Sequence, residues 1–357
     1  MKRLLFAGLG LLLVLFIGRL VLTPKIAERG FARQVASNIG VDRTADLPDG
    51  LHAYVCGAGS PLPDPKRSGP CLAVLAGDTA LVFDAGAGSS GNLGPMGFPA
   101  ARIDTIFLTH LHSDHFDGLG QMLLGSWIAS DRTAPTPVAG PRGTAEVVDG
   151  FNRAYRIDSS FRTAHHGADI ANPVTFGASA RELELEGDAA VVFERDGVTV
   201  TAFDVTHDPV APAFGYRVDY KGRSISISGD TAYDPRVAAA SQGVDVLFHE
   251  ALNMEMVETM ERAAKSNGAD KIATIMFDIR DYHTSPVDAA RIAEQAGAEH
   301  LVLTHIVPML PSDALIPVFV RGADDAFGGP ITVAEDGLIV RLPANSDAVV
   351  YEGSGAR

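Results

Sequence analysis

Cysteine is nearly absent from this chain: Cys56 and Cys71 are the 2 in 357 residues. Neither has a neighbour that would mark a thiol nucleophile, so cysteine-based catalysis is set aside. The two could pair across adjacent strands in an oxidising compartment or remain two small buried thiols, and the sequence leaves both open. Positive charge is also short. There are 29 Lys and Arg against 44 Asp and Glu, a formal net charge of −15. A surface of that sign does not displace counterions from a polynucleotide, which disfavours non-specific nucleic-acid binding. It reads instead as a solubilising surface. No short repeat or low-complexity tract occurs, which sets aside solenoid and disordered architectures. What is plentiful is apolar residues, at 46%, and glycine, at 37 residues, enough for a sizeable core with many tight turns.

The long apolar run stands at the extreme N-terminus. Lys2 and Arg3 precede Leu4 to Leu22, interrupted by glycines and Arg19. About nineteen residues can span a bilayer. The pattern is that of a signal peptide or signal anchor over 1–23, and the absence of a small-x-small site before Pro24 favours the anchor. The expected location is exported, on the periplasmic face, or anchored in the membrane by this segment. Residues 24–50 read as a linker with a short lead-in helix, 51–345 as the main domain and 346–357 as a tail.

Within the main domain, His52–Gly57 reads as a strand. Leu72–Ala76 and Ala80–Phe83 flank a Gly-Asp turn, and Ile106–Leu108 ends another strand. Phe116–Ile128 is a helix candidate. Residues 143–188 break the rhythm and read as helix plus irregular loop, an insertion near the mouth of a site, with Tyr155, Asp158, Arg162, His165 and His166 available to a substrate or simply paired among themselves. Trp127 reads as a core or lid residue. Hairpins are expected around Asp196-Gly197, Lys221-Gly222 and Asp336-Gly337, the last over Ile331–Leu342. Val244–Phe248 and Leu301–Leu303 are buried strands. Met254–Lys265 and Pro286–Ala296 are helices, the second with proline where a missing N–H does no harm. Two rounds of strands then helices predict an α+β fold: two facing mixed sheets with helices outside, an αββα sandwich.

The most informative stretch is Thr-His-Leu-His-Ser-Asp-His at 109–115. Three imidazoles and a carboxylate fall within six positions. In an extended segment His110 and His112 point the same way and can grip one cation. Asp114 and His115 lie past the turn and face a second position. Mixed nitrogen and oxygen ligation suits a hydrolytic metal. His207, Asp230 and His305 each stand just beyond an apolar strand, where rigid scaffold meets loop.

The ordered set resembles the metallo-β-lactamase superfamily, in its ribonuclease Z-like and arylsulfatase-like branch. The resemblance covers about 51–345. It rests on the 109–115 motif, His207 with Phe-Gly-Tyr-Arg-Val at 214–218, Ser-Gly-Asp-Thr at 228–231, Phe-His-Glu-Ala at 248–251, His-Thr-Ser at 283–285 and Leu-Thr-His at 303–305. The Cys-Gly-Ala-Gly-Ser-Pro-Leu-Pro and Phe-Asp-Ala-Gly segments are similar to this family's opening strands. The resemblance implies two zinc ions per chain: His110, His112 and His207 on one, Asp114, His115 and His305 on the other, Asp230 bridging. It implies that Asp84 steadies the metal loop. Asp114, His283 and Glu250 form the implied catalytic set, His283 as proton donor and Glu250 orienting it.

Two close zinc ions share a water and lower its pKa towards about 7. The expected activity is ester hydrolysis by that bridging hydroxide, with a phosphodiester or aryl sulfate favoured. Transfer-RNA 3′ processing of ribonuclease Z type is the alternative. The tRNA-processing members carry a long arm between the Gly-Tyr-Arg motif and the bridging aspartate, where this chain has one short hairpin. Nucleic acid is therefore expected to be an unlikely partner. The expected partners are a small-molecule ester, the membrane and, as an option left open, a second copy of the chain. Two other classes compete: a diiron oxidoreductase, which resembles this chain but has glutamate where His112 stands, and a non-catalytic metal-binding protein.

Overall fold

A computed structural model describes residues 18–19, 23–128 and 130–354. The chain divides into two units, Met1–Ala45 and Asp46–Arg357. In the first, residues 23–36 form a helix.

The second unit opens with β1 (Gly50–Gly57), β2 (Cys71–Ala76), β3 (Thr79–Phe83), β4 (Ile103–Phe107), β5 (Thr136–Gly140) and β6 (Ala178–Glu182). There follow β7 (Ala189–Arg195), β8 (Val198–Asp204), β9 (Phe214–Tyr220), β10 (Arg223–Ile227), β11 (Val246–Leu252), β12 (His300–Val307) and β13 (Ile331–Val333). The last two strands are β14 (Leu338–Pro343) and β15 (Val350–Gly353). Among the described residues these make an eight-stranded sheet, β15-β14-β1-β2-β3-β4-β5-β6, and a seven-stranded sheet, β13-β12-β11-β10-β9-β8-β7.

The sandwich follows from the period-two pattern of each strand. Val74, Leu81 and Phe83 of the first sheet meet Val200, Tyr216, Val218 and Ile225 of the second in one buried cluster. Alternate residues point outward. Ala73, Leu75 and Val82 pack under Leu119, Met122 and Leu123 of the helix Leu119–Trp127, with Val148 of the helix Thr144–His166. On the far side, Leu247, Leu301 and Leu303 pack under Ala289, Ile292 and Ala293 of the helix Pro286–Ala296. That helix begins as its sequence dictates, with the Ser285 hydroxyl accepting from the Asp288 N–H. The result is the expected two-sheet α/β sandwich with helices outside.

Several expectations are corrected. Ile331–Leu342 is not a hairpin: β13 runs parallel to β12 in the second sheet, whereas β14 pairs antiparallel with β1 in the first. Asp336-Gly337 is therefore a crossover between sheets, and the Asp336 carboxylate is spent on the N–H groups of Ala58 (3.0 Å) and Ser68 (2.7 Å) and on Asn92. Residues 350–353, placed in the tail, form the edge strand β15. The helices Ser90–Met96 and Asp270–Asp278 were not expected. The exported or membrane-anchored location is also withdrawn: among the described residues no helix is long and apolar enough to cross a membrane. Most of the Leu4–Leu22 run lies outside the described residues. Cys56 and Cys71 are joined as a disulfide.

Residues 143–188 are built into the first sheet rather than looped over it. The helix Thr144–His166 leads into β6, which pairs parallel with β5. Tyr155 packs against Gly120, and Asp158 pairs with Arg162 at 2.7 Å. Trp127 is buried and donates to the Asn172 carbonyl at 2.7 Å.

Candidate metal centre

Parallel pairing brings the carboxyl ends of β3, β4, β10, β11 and β12 to one rim of the sandwich. His110 and His112 follow β4, and Asp114 and His115 sit on the 3-10 turn Ser113–His115. His207 follows β8 and Asp230 follows β10. Two residues are aimed from within strands. Glu250 belongs to β11. His305 belongs to β12 at a break in the β11–β12 register, where Glu250 pairs with Thr304 but Ala251 pairs with Ile306. The extra residue is a bulge, with His305 at φ 45°, and it turns the imidazole into the site.

Two glycines allow the loops to close. A Cβ on Gly86 would lie 2.4 Å from the Asp114 carbonyl oxygen and 2.3 Å from the Gly69 carbonyl carbon. Gly229, at φ 62°, lets the chain turn between β10 and Asp230 while pressed against Phe214.

The donors converge in three overlapping sets whose atoms lie within 4.8 Å of one another: His110, His112, His207 and Asp230; Asp114, His115 and His305; and Asp230, His283 and His305. His110 Nε2 stands 3.1 Å from His112 Nδ1, and His207 Nε2 stands 3.3 Å from the same atom. Asp230 Oδ2 is 3.2 Å from both His115 Nε2 and His305 Nε2, and 3.8 Å from His110 Nε2. Asp114 Oδ2 is 3.3 Å from His305 Nε2 and 3.6 Å from His115 Nε2.

Burial sets the charge states. It pushes His110 well below its ordinary pKa and also lowers His112 and His207. Burial opposes the charging of His115 too, but Asp230 and Asp84 outweigh it and hold that imidazole well above its usual range. Burial would raise Asp230, yet His305 and His115 keep it well below the usual carboxylate range. His110, His112 and His207 are therefore neutral imidazoles facing one another beside an ionised Asp230, with more lone pairs than protons between them. This donor set fits divalent cations, and hydrogen bonds alone do not satisfy it.

The surrounding shell was only partly visible in the sequence. Asp84, at φ 58°, accepts from the Thr109 N–H (2.8 Å) and hydroxyl (2.9 Å) and faces His115 Nδ1 at 2.8 Å. Thr109 was missed; its place at the head of the metal motif was the available signal. Tyr282 was also missed: its carbonyl accepts from His207 Nδ1 at 3.1 Å. Glu250 Oε1 accepts from the Thr284 N–H at 2.7 Å and lies 3.3 Å from His283 Nδ1. Burial opposes the charging of His283, but Glu250 outweighs it and raises its pKa. Tyr155, Asp158, Arg162, His165 and His166 belong to none of the three donor sets. A groove of about 960 Å³ opens beside Asp114, walled by the loop 60–69.

The model of the beta-lactamase superfamily domain matches residues 79–306. Ribonuclease Z of Mycobacterium avium is 37% identical over 262 residues, 73% of this chain and 87% of that protein. Ribonuclease Z of Mycobacterium marinum is 34% identical over 296 residues, 80% of this chain and 96% of that protein. Among solved structures, the short form of human tRNase Z shares the fold with a TM-score of 0.58 at 24% identity, over 82% of this chain and 99% of that one. The chain thus belongs to the beta-lactamase superfamily, in its ribonuclease Z-like branch. It is a metal-dependent hydrolase acting on ester bonds. Nucleic acid as an unlikely partner is corrected: relatives spanning most of the chain are named for a ribonuclease. The exported location that accompanied that expectation is not retained.

Proposed function

We propose that the chain is a zinc-dependent phosphodiesterase that cleaves RNA in the manner of a ribonuclease Z. The observation that carries this is the histidine–carboxylate cluster with a Glu250–His283 couple at its edge, in a chain whose relatives over most of its length are named ribonuclease Z. His110, His112 and His207 would hold one cation, Asp114, His115 and His305 the other, and Asp230 both. Two such cations supply Lewis acidity, activating water and offsetting charge on the phosphoryl oxygens. Asp84 accepts the hydrogen bond of His115 Nδ1–H, leaving the Nε2 lone pair to face a cation. The Tyr282 carbonyl does the same for His207. Glu250 holds the Nδ1 side of His283, so the proton on its other ring nitrogen is the one offered to the leaving alkoxide.

A small phosphodiester is the second reading. It is favoured by the tight Lys221-Gly222 turn between β9 and β10 and by the net charge of −15. The test is a comparison on the zinc-loaded protein of an RNA with a 3′ extension, a diaryl phosphodiester and an aryl sulfate. Cleavage of the RNA at a defined site together with the diester supports the first reading. Cleavage of the diester alone supports the second, and turnover confined to the sulfate overturns both.

A further inference from the structure

Behind the metal centre, between the sheets, lies a cavity of about 40 Å³. Its walls are largely apolar, from Leu72, Phe83, Ile227 and Phe248. Asp230, Glu250 and His305 also line it, at 3%, 2% and 4% exposure. Each of these three has one buried polar atom without a partner among the described residues: Asp230 Oδ1, Glu250 Oε2 and His305 Nδ1. Their other polar atoms are spoken for. Asp230 Oδ2 and His305 Nε2 face the donor cluster, and Glu250 Oε1 takes the Thr284 N–H.

The three orphans form a matched set. Both carboxylate oxygens need a donor. His305 Nδ1 needs a partner as well, as donor or acceptor according to its tautomer. A water molecule has two protons to give and can accept the third bond. About 10–15 Å³ suffices for one water, so the cavity admits it, and polar groups this deeply buried cost free energy until they are paired. We propose that this cavity is a structural water site, in which one water donates to Asp230 Oδ1 and Glu250 Oε2 and pairs with His305 Nδ1. The water ties Glu250, the residue beside His283, to Asp230 and His305. Glu250 is thereby a positioning residue for the metal ligands as well as for His283.

The inference rests on the ligand assignment proposed above, but its first test does not need metal. Crystals of the metal-free and zinc-loaded protein at about 1.5 Å resolution are expected to show one ordered solvent peak within hydrogen-bond distance of all three atoms, without anomalous signal at the zinc edge. An empty cavity, or zinc within it, overturns the proposal. Water present in a chain that binds no metal would instead sink the ligand assignment and leave the water site standing. The second test is zinc affinity. Glu250→Gln keeps one oxygen for the Thr284 N–H and presents an amide the water can accept from, so affinity should stay within about threefold. Glu250→Leu strands the water and should weaken zinc roughly tenfold or more, with the melting temperature of the metal-free protein checked to separate misfolding. Equal losses in the two variants overturn the linking role.

Discussion

His115 Nδ1 lies 2.8 Å from Asp84 Oδ2, and the same carboxylate holds the Thr109 N–H and hydroxyl that introduce the metal motif. One buried acid therefore fixes both the path of the 109–115 loop and the orientation of one of its imidazoles. Asp84→Asn offers a single acceptor oxygen where Asp84 uses two. It should lower metal affinity about 10–100-fold while leaving the fold intact. Competition against a chelator measures this; unchanged affinity would mean the contact is merely structural.

Asp230 stands in two of the three donor sets. Asp230→Ala should therefore lose metal and hydrolysis together. Metal content by elemental analysis beside turnover checks it, and a variant that keeps both would contradict the bridging role.

The Glu250–His283 couple stands beside the donor cluster, His283 in ring contact with His207 and His305. His283→Ala should retain metal. It should slow phosphodiesters with alkoxide leaving groups by roughly 10²–10⁴-fold and those with nitrophenolate far less. Equal slowing of both would argue against a proton donor.

The Cys56–Cys71 bond closes the loop that walls the groove beside Asp114, with a sequence separation of 15. Cys56→Ser with Cys71→Ser should cost about 3 kcal/mol of stability in urea unfolding. A loss within error would mean that packing alone sets the loop.

Tyr351 on β15 reaches His300 of the second sheet at 3.2 Å, and burial pushes its phenol up to about 12. The folded state holds that proton more tightly than the unfolded chain, whose phenol titrates near 10. This contribution is complete below pH 10 and is lost as pH rises towards 12, by roughly 2–3 kcal/mol. Tyr351→Phe should flatten that part of the stability profile; an unchanged alkaline slope would place the effect elsewhere.

The metal motif and the strand alternation were legible because both are local: spacing within one segment dictates them. His207, Asp230 and His305 were legible as polar residues at strand ends, but their shared rim came only through resemblance, since parallel pairing far along the chain brings them together. Three features hid for definite reasons. Asp336-Gly337 has turn chemistry in either a hairpin or a crossover, and only sheet partners distinguish the two. The bulge at His305 is a register shift that no residue type announces. The pairing of Cys56 with Cys71 depends on strands β1 and β2 lying side by side, which spacing alone leaves open. Thr109 and Tyr282 act through a hydroxyl and a main-chain carbonyl, groups common everywhere in a sequence.

The proposed hydrolysis needs two cations acting together at the rim of the sandwich. Stripped protein titrated with zinc, with bound metal and phosphodiester cleavage read at each step, tests this most directly. Cleavage should be absent without metal and climb until two equivalents per chain are bound. Full cleavage by the metal-free chain, or zinc binding that leaves it inert on every phosphodiester, would contradict it.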